Sequence, residues 1–440
     1  MMTAFEELPD GVLLDILSRL STKQVSRVGL LCRRLYVICK DELKRRSSLI
    51  VTSRNPEENF ESLNGDCNAF MFGSDSINAS FPQTLHLLRI SLVNIRYLRL
   101  HYCDGINDEN VFFVGKYLPN LKKLWISDMG LTDEGLSILF THCDVLETLI
   151  LGAFQMNGSC FKYLPPLKNF TIEHFEFDSQ CFELLSKRLT NTLEKFSFYF
   201  YFHKHYESFN DWILEKFLNH FPKLKTFKWY CNPTLFDYRT IDGEIAYPSF
   251  YFFLSTINEI EELALSYCPT LPLQQLRHLP KFYSLKSLSV GFYNDTSDDC
   301  FAELVSKFPN LERLHFSASR LDTFVKSIDA IKHLHSLREL SLQYQGFQQE
   351  LQLLFDCKSL RKLKITGFDN KQFIDFIDFA KNNERSDAPL EVELIMQIKE
   401  RIEGFENETV KLKVQTSNTV EACRSVDSNW SWVDSAIIVD

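Results

Sequence analysis

The sequence predicts an α/β solenoid, a horseshoe with parallel strands on its concave side and helices on its convex side, led by a separate group of three short helices. Three observations predict it. A phrase of the form Leu-x-x-Leu-x-Leu returns in order from residues 95, 121, 146, 167, 193, 224, 260, 285, 311, 337 and 360. Between phrases lie stretches with an apolar helical side and acidic starts, such as "DEGLSILFTHCD" and "DDCFAELVSKFPN". The first fifty residues carry helix signals but no copy of the phrase.

The chain has 440 residues, of which 45% are hydrophobic, enough for a large core. Glycine (15) and proline (14) are too scarce for a fibrous or linker-rich protein. A net charge of -10 argues against nucleic acid as a partner, because such proteins show a basic face. "MMTAFEELPD" lacks a basic stretch followed by an apolar core, so no signal peptide is expected. The 12 cysteines are then expected as reduced thiols in cytoplasm or nucleus. No membrane association is expected. The most apolar run, "YPSFYFFLSTI" (247–257), falls well short of the about 20 residues of a spanning helix.

At the N-terminus, Asp10 is placed to cap a helix running to about Leu20. Leu13, Ile16, Leu17 and Leu20 form its apolar stripe, with Val12 and Leu14 lying off it. Ser21 and Gln24 fit a capping box for a second helix, with Leu20 and Val25 as its staple. Val25, Val28, Leu31 and Leu35 continue the apolar spacing. A third helix is expected from Arg33 or Arg34 to about Arg46, with Leu35, Ile38 and Cys39 inward. So small a unit cannot bury enough surface to be comfortable alone. Its surplus of apolar side chains calls for another protein, or for the solenoid that it would then cap.

The stretch "LPDGVLLDILSRLSTKQVSRVGLLCRRLYVICKD" resembles an F-box. Leu8, Pro9, Ile16, Leu17, Leu20, Val25, Cys32, Arg33 and Arg34 occupy that family's positions. Its usual Trp is replaced here by Leu35, followed by Tyr36. The resemblance implies docking on a Skp-type adaptor and, through it, on a cullin and a RING subunit. The residues expected at that adaptor are Leu8, Pro9, Leu13, Ile16, Leu17, Leu20, Val25, Cys32 and Leu35.

Most steps between phrases are 21 to 26 residues, inside the window of leucine-rich repeats. In each phrase the later Leu positions alternate with polar ones, so they point from a strand into the core. Phe, with 39 copies, can replace Leu there. "LHYCDGINDENV" and "SDMGLTDEGLSILFTHCDVLETL" look like the cysteine-containing subtype of repeat, with Cys103 at a turn and Cys143 and Cys357 at helix ends. These thiols read as small buried hydrophobes rather than nucleophiles. The expected domains are residues 1–48, an F-box; 49–93, a connection with room for a first irregular repeat; 94–415, about 11–13 repeats; and 416–440, a mobile tail.

Counting the first Leu of a phrase as position one, positions three, five and seven face away from the core. Trp125, Ile150, Tyr199, Lys228 and Tyr230 stand at such positions and are the expected contacts of a target protein, since exposed aromatics and cations favour interface hot spots. "HKHY" (203–206), His333 and His335 have no ligand-spaced partners, so no metal or other cofactor is expected. No enzymatic motif stands in the chain. The F-box resemblance then implies a non-catalytic substrate receptor of a Skp–cullin–F-box ubiquitin ligase. A protein-binding scaffold or an inhibitor using the same repeat surface is the alternative.

Overall fold

A computed structural model describes residues 8–20, 22–46, 48–52, 94–101, 106–127, 130–152, 156–173, 179–201, 220–232, 259–268, 277–292, 297–318, 325–343, 354, 357–368, 390–396 and 410–416. The chain divides into two compact units, Met1–Lys195 together with Trp432–Asp440, and Phe196–Ser431. Cys103, Ser21, the connection after Thr52, "HKHY" and the tail after Thr416 lie outside the described residues.

The first unit opens with helices α1 (Asp10–Ser18), α2 (Thr22–Val28) and α3 (Arg33–Arg45). Asp10 does not cap α1, as the sequence suggests. Pro9 holds the N-cap position, and Asp10 is the first helical residue. Its carboxylate is spent on Arg34, 2.6 Å away. Leu31 also departs from expectation. It lies beyond the end of α2, where the 3.6-residue period stops, and is exposed.

Strands β1 (Ser48–Thr52), β2 (Tyr97–His101), β3 (Lys123–Ser127), β4 (Thr148–Gly152) and β5 (Asn169–Glu173) follow in chain order as one parallel ladder. Parallel neighbours need crossovers. Here these are α4 (Phe112–Tyr117), α5 (Asp133–Phe140) and a 3-10 turn (Ser159–Tyr163), and α6 (Ser179–Leu189) follows β5. Gly158, at φ 80°, begins the 3-10 turn in the left-handed region that glycine tolerates.

The second unit repeats this plan. Its strands are β6 (Lys195–Tyr201, with Lys195 at the division), β7 (Thr226–Asn232), β8 (Glu262–Cys268), β9 (Ser287–Phe292), β10 (Arg313–Ala318), β11 (Glu339–Gln343), β12 (Lys362–Phe368), β13 (Leu390–Met396) and β14 (Val410–Thr416). From β7 to β14 they pair in parallel in chain order. Helix α7 (Asp298–Ser306) precedes β10, and α8 (Val325–Lys332) precedes β11. The fold is thus the α/β strand–helix repeat with N-terminal helices that the sequence predicts.

The core is the phrase itself. From Ile95 to Ile365, every described side chain at positions one, four and six is at most 3% exposed. Phe170, Phe196, Phe198, Phe227 and Phe316 take Leu places. Phe301 of α7 lies 3.8 Å from Phe316 of β10, ring centroid to centroid, and so joins the helix layer to the strands.

Position two links each repeat to the next through its backbone. The carbonyl of Arg96 accepts from the N–H groups of both Lys122 and Lys123, at 2.8 Å each. Those of Lys122, Glu147 and Lys168 do the same for their successors, as do those of Lys225, Glu261, Lys286, Glu312 and Arg338 in the second unit. From Lys122 to Arg338 the side chains at position two alternate in sign. Glu147 lies 3.1 Å from Lys122 and 3.3 Å from Lys168. In the second unit, Glu261 lies 3.5 Å from Lys225 and 2.8 Å from Lys286.

The acidic residues before the helices do more than oppose the helix dipole. Asp108 accepts from the Thr132 N–H (2.9 Å) and hydroxyl (2.6 Å) of the following repeat. Asp133 accepts from the N–H groups of Asn157 (2.6 Å) and Cys160 (3.0 Å). In the second unit, buried Asp298 accepts from Lys326 N–H (2.7 Å), Ser327 N–H (2.8 Å) and the Ser327 hydroxyl. Each carboxylate therefore satisfies donors at the start of the next repeat's helical segment. Gly135 makes room for one of them: a Cβ there would stand 2.1 Å from Asp108 Oδ1 and 2.8 Å from its Cα.

Two predictions follow from these links. Gly135→Ala should cost about 1–3 kcal/mol by overpacking, whereas Gly130→Ala, with nothing within 4 Å, should be near neutral; urea unfolding of the two variants decides. Hydrogen bonds from Lys122 and then Lys168 hold the Glu147 carboxyl below its ordinary 4.5. Lys286 does the same for Glu261. A folded value below the unfolded one gives stability that is whole above 4.5 and lost as pH falls through the folded value. Glu147→Gln/Glu261→Gln should therefore flatten the fall in urea midpoint on acidification.

Candidate partner-binding surfaces

The three N-terminal helices close around Leu13, Leu17, Val25, Leu35, Ile38, Cys39 and Leu43, all buried. The described helices are pinned by two arginines. Arg34 donates to the Leu8 carbonyl (2.7 Å) and to Asp10, tying the Leu8-Pro9 segment to α3. Arg46, 2% exposed, donates to the carbonyls of Leu17 (3.3 Å) and Leu20 (2.7 Å), where α1 ends. Its Nε lies 3.7 Å from buried Glu42. Cys32 serves as the N-cap of α3, its Sγ accepting from Leu35 N–H at 3.5 Å.

This core divides the nine residues expected at the adaptor. Pro9 is exposed, and Leu8, Ile16, Leu20 and Cys32 are half-buried. Leu13, Leu17, Val25 and Leu35 are interior, so they hold the helices together rather than present themselves to a partner. The open apolar surface is a different set. Leu30 is 83% exposed, and Leu31, Tyr36, Val37 and Val12 are also largely open. Periodicity places Leu31 inward and passes over Leu30, Tyr36 and Val37, because it selects the side that faces inward. Two signals point to them: Leu30-Leu31 falls in an interhelical turn, and Tyr36-Val37 lies off the Leu35, Ile38, Cys39 side of α3.

The helices are fastened to the first repeats. Strand β1 starts two residues beyond Arg46 and pairs with β2. Asn94 Nδ2 donates to the Lys44 carbonyl at 2.7 Å.

On the strand face of the first unit, position five runs Ile50, Arg99, Trp125, Ile150, Thr171 across neighbouring strands. Arg99 stacks on Trp125, its guanidinium carbon 3.5 Å from the ring centroid. Trp125 is half-buried rather than exposed. Ile150, expected to be open, is 3% exposed. In a parallel ladder each inner strand has same-face neighbours about 4.8 Å away on both sides, and for Ile150 these are Trp125 and Thr171.

In the second unit, Tyr199 is half-buried and Lys228 is buried. The Lys228 ammonium lies 2.8 Å from Glu262, so its charge is already committed within the sheet. Tyr230 lies on β7, and its side chain is outside the described residues. His315, also at position five, is half-buried; burial and then the Lys364 ammonium push its imidazole down to about 4, so it is neutral at pH 7. Thus Ile150 and Lys228 are not open to a target, and Trp125 and Tyr199 are only partly open.

The described thiols are mostly sealed. Burial pushes the Cys143 thiol up to about 12 and raises that of Cys160 as well. Cys357 is buried too. A protonated, enclosed thiol is a poor nucleophile. Among the described residues no group of His, Cys, Asp and Glu is placed to hold a metal ion, and no helix is long and apolar enough to cross a membrane.

Residues 5–50 match the F-box-like family model, and the N-terminal helices are an F-box-like domain. No curated protein matches the chain. Among solved structures, the crystal structure of the yeast Rad7 and Elc1 complex is similar at 16% identity and TM-score 0.47, over 81% of this chain and 86% of that one. The TLR13–ssRNA13 complex is similar at 14% identity and TM-score 0.27, over 80% of this chain and 61% of that one. Neither likeness carries a functional assignment.

Arg46→Ala should leave buried Glu42 uncompensated and remove the guanidinium donors from the Leu17 and Leu20 carbonyls, at a cost of about 3–5 kcal/mol. The expected outcome is selective loss of protection of the 10–45 helical amides in hydrogen exchange, with the repeat strands of the second unit unchanged.

Proposed function

We propose that this chain is a substrate receptor of a Skp–cullin–F-box ubiquitin ligase. One observation carries the reading: within the residues that match the F-box-like family, the helices close their own core and still leave Leu30, Leu31, Tyr36 and Val37 open together with Val12. Open apolar side chains gathered in so short a stretch of chain suit a protein-binding site. A Skp-type adaptor is the partner of matching chemistry, and a cullin and RING subunit would follow through it. A target protein would be held by the repeats, in cytoplasm or nucleus.

In this reading the chain makes and breaks no bond. It raises the effective concentration of target lysines near the charged enzyme that the partner subunits supply. The sealed thiols of Cys143 and Cys160 agree with a non-catalytic role for those residues. The link from α3 into β1, reinforced by Asn94 on the Lys44 carbonyl, supports a fixed geometry between adaptor and first repeats.

The test uses Leu30→Asp/Tyr36→Asp in the full chain. Both side chains are open, so the unfolding midpoint should not move. Affinity for a recombinant Skp-type adaptor should fall at least about a hundredfold, or ~2.8 kcal/mol, and captured target proteins should live longer in cells that carry the variant. Unchanged adaptor binding would overturn the receptor reading. Lost adaptor binding with unchanged target lifetimes would leave a scaffold.

A further inference from the structure

We propose that the outer side of α3, Arg33, Tyr36, Val37 and Lys40, together with Arg27 and Leu30 before it, docks a protein surface whose apolar centre is flanked by carboxylates. The inference rests on the receptor reading for the identity of that partner, a Skp-type adaptor, and adds the chemistry the partner must present.

Three observations lead there. The first is charge. Residues 8–46 carry nine Lys and Arg against four Asp and Glu, in a chain whose net charge is -10. Residues 16–40 hold six cations and no carboxylate. The second is how that charge is committed. Each of the four carboxylates already holds a cation of the same helices: Asp10 with Arg34, Asp15 with Arg19, Asp41 with Lys44, and Glu42 with Arg46. Exposed Arg27 and Arg33 and half-buried Lys40 enter no ion pair among the described residues.

The third is placement. In α3 the buried side chains are Leu35, Ile38, Cys39, Glu42 and Leu43. Arg33, Tyr36, Val37 and Lys40 stand at i, i+3, i+4 and i+7, which is one side of the helix. Tyr36 is 55% exposed and Val37 54%. An open apolar pair thus lies between two cations about 10 Å apart along the axis. Arg27, in the last turn of α2, stands three residues before Leu30. Open apolar surface marks a contact site. Uncompensated cations around it call for carboxylates on the partner, which steer the encounter and fix its orientation. An anionic lipid surface fits less well, because exposed Asp41 lies one turn beyond Val37 and would meet uniform negative charge.

The experiment follows association of the full chain with a recombinant Skp-type adaptor by stopped flow. Arg33→Glu/Lys40→Glu is compared with Arg19→Glu/Arg45→Glu, which changes the net charge equally but off this side of α3. The first pair should slow association at least about tenfold at about 0.05 M salt, and the second at most about threefold. At about 0.5 M salt, where exposed charges are screened, the first pair should come within about threefold of the intact chain. Unfolding midpoints check each variant; if the first pair does not fold, Arg33→Gln/Lys40→Gln takes its place and should slow association at least about threefold. Equal slowing by both pairs would mean that only net charge matters and would overturn the proposal. So would unchanged association, or loss by the first pair of binding to phosphatidylserine-containing vesicles while adaptor association is unaffected. Unchanged association with an adaptor that binds the intact chain overturns this inference alone. An adaptor that does not bind the intact chain at any salt overturns the receptor reading and this inference together.

Discussion

In both units the repeats are held by a backbone bridge in which one carbonyl at position two accepts two N–H groups from the next repeat. Everything else in the repeat is placed by it. It sets where each strand begins, and therefore which side chains of the phrase point into the core. A slip of one residue would send the buried Leu and Phe set to the other face. The alternating charges at the same position favour the same alignment. Their individual contributions are small, as for any exposed ion pair.

Opposite the strands, carboxylates do for the helical segments what the carbonyl bridge does for the strands. Asp108, Asp133 and Asp298 each bond to donors in the following repeat. Every helix start has N–H groups that lack partners within the helix. Here the partner comes from outside the local sequence, so stacking and helix formation support each other. That coupling is the physical content of a repeat that cannot stand alone.

The N-terminal helices follow a different logic. Their core is small, and a buried Arg46–Glu42 pair sits beneath α1, a costly choice for a domain of this size. Arg46 nonetheless supplies donors to carbonyls at the end of α1, which no apolar residue could do. The chain then passes directly into β1. In the proposed role, a unit that docks a partner and starts the strand repeat needs this join to be firm.

Much of this was legible in the sequence, because the relevant periods are local. The spacing of Leu, Ile and Phe in the phrase depends only on strand alternation, and it located the buried positions from Ile95 to Ile365. The helix signals likewise located α1, α2 and α3. What the sequence could not determine concerns groups brought together from different repeats. Asp10 looked like a cap until Arg34, far along the chain, took its carboxylate. Ile150 and Lys228 looked open because alternation says which face a side chain is on, not what lies beside it there. Leu30, Tyr36 and Val37 were passed over, and Leu31 was read as inward, because inward spacing is periodic and an open surface is not. By itself, then, the sequence determined the repeat, its core and the family resemblance of its first fifty residues. Only the tertiary structure decided which apolar and charged side chains remain available, because availability is settled by neighbours that the chain supplies from 20 or more residues away, as Asp108 does for Thr132.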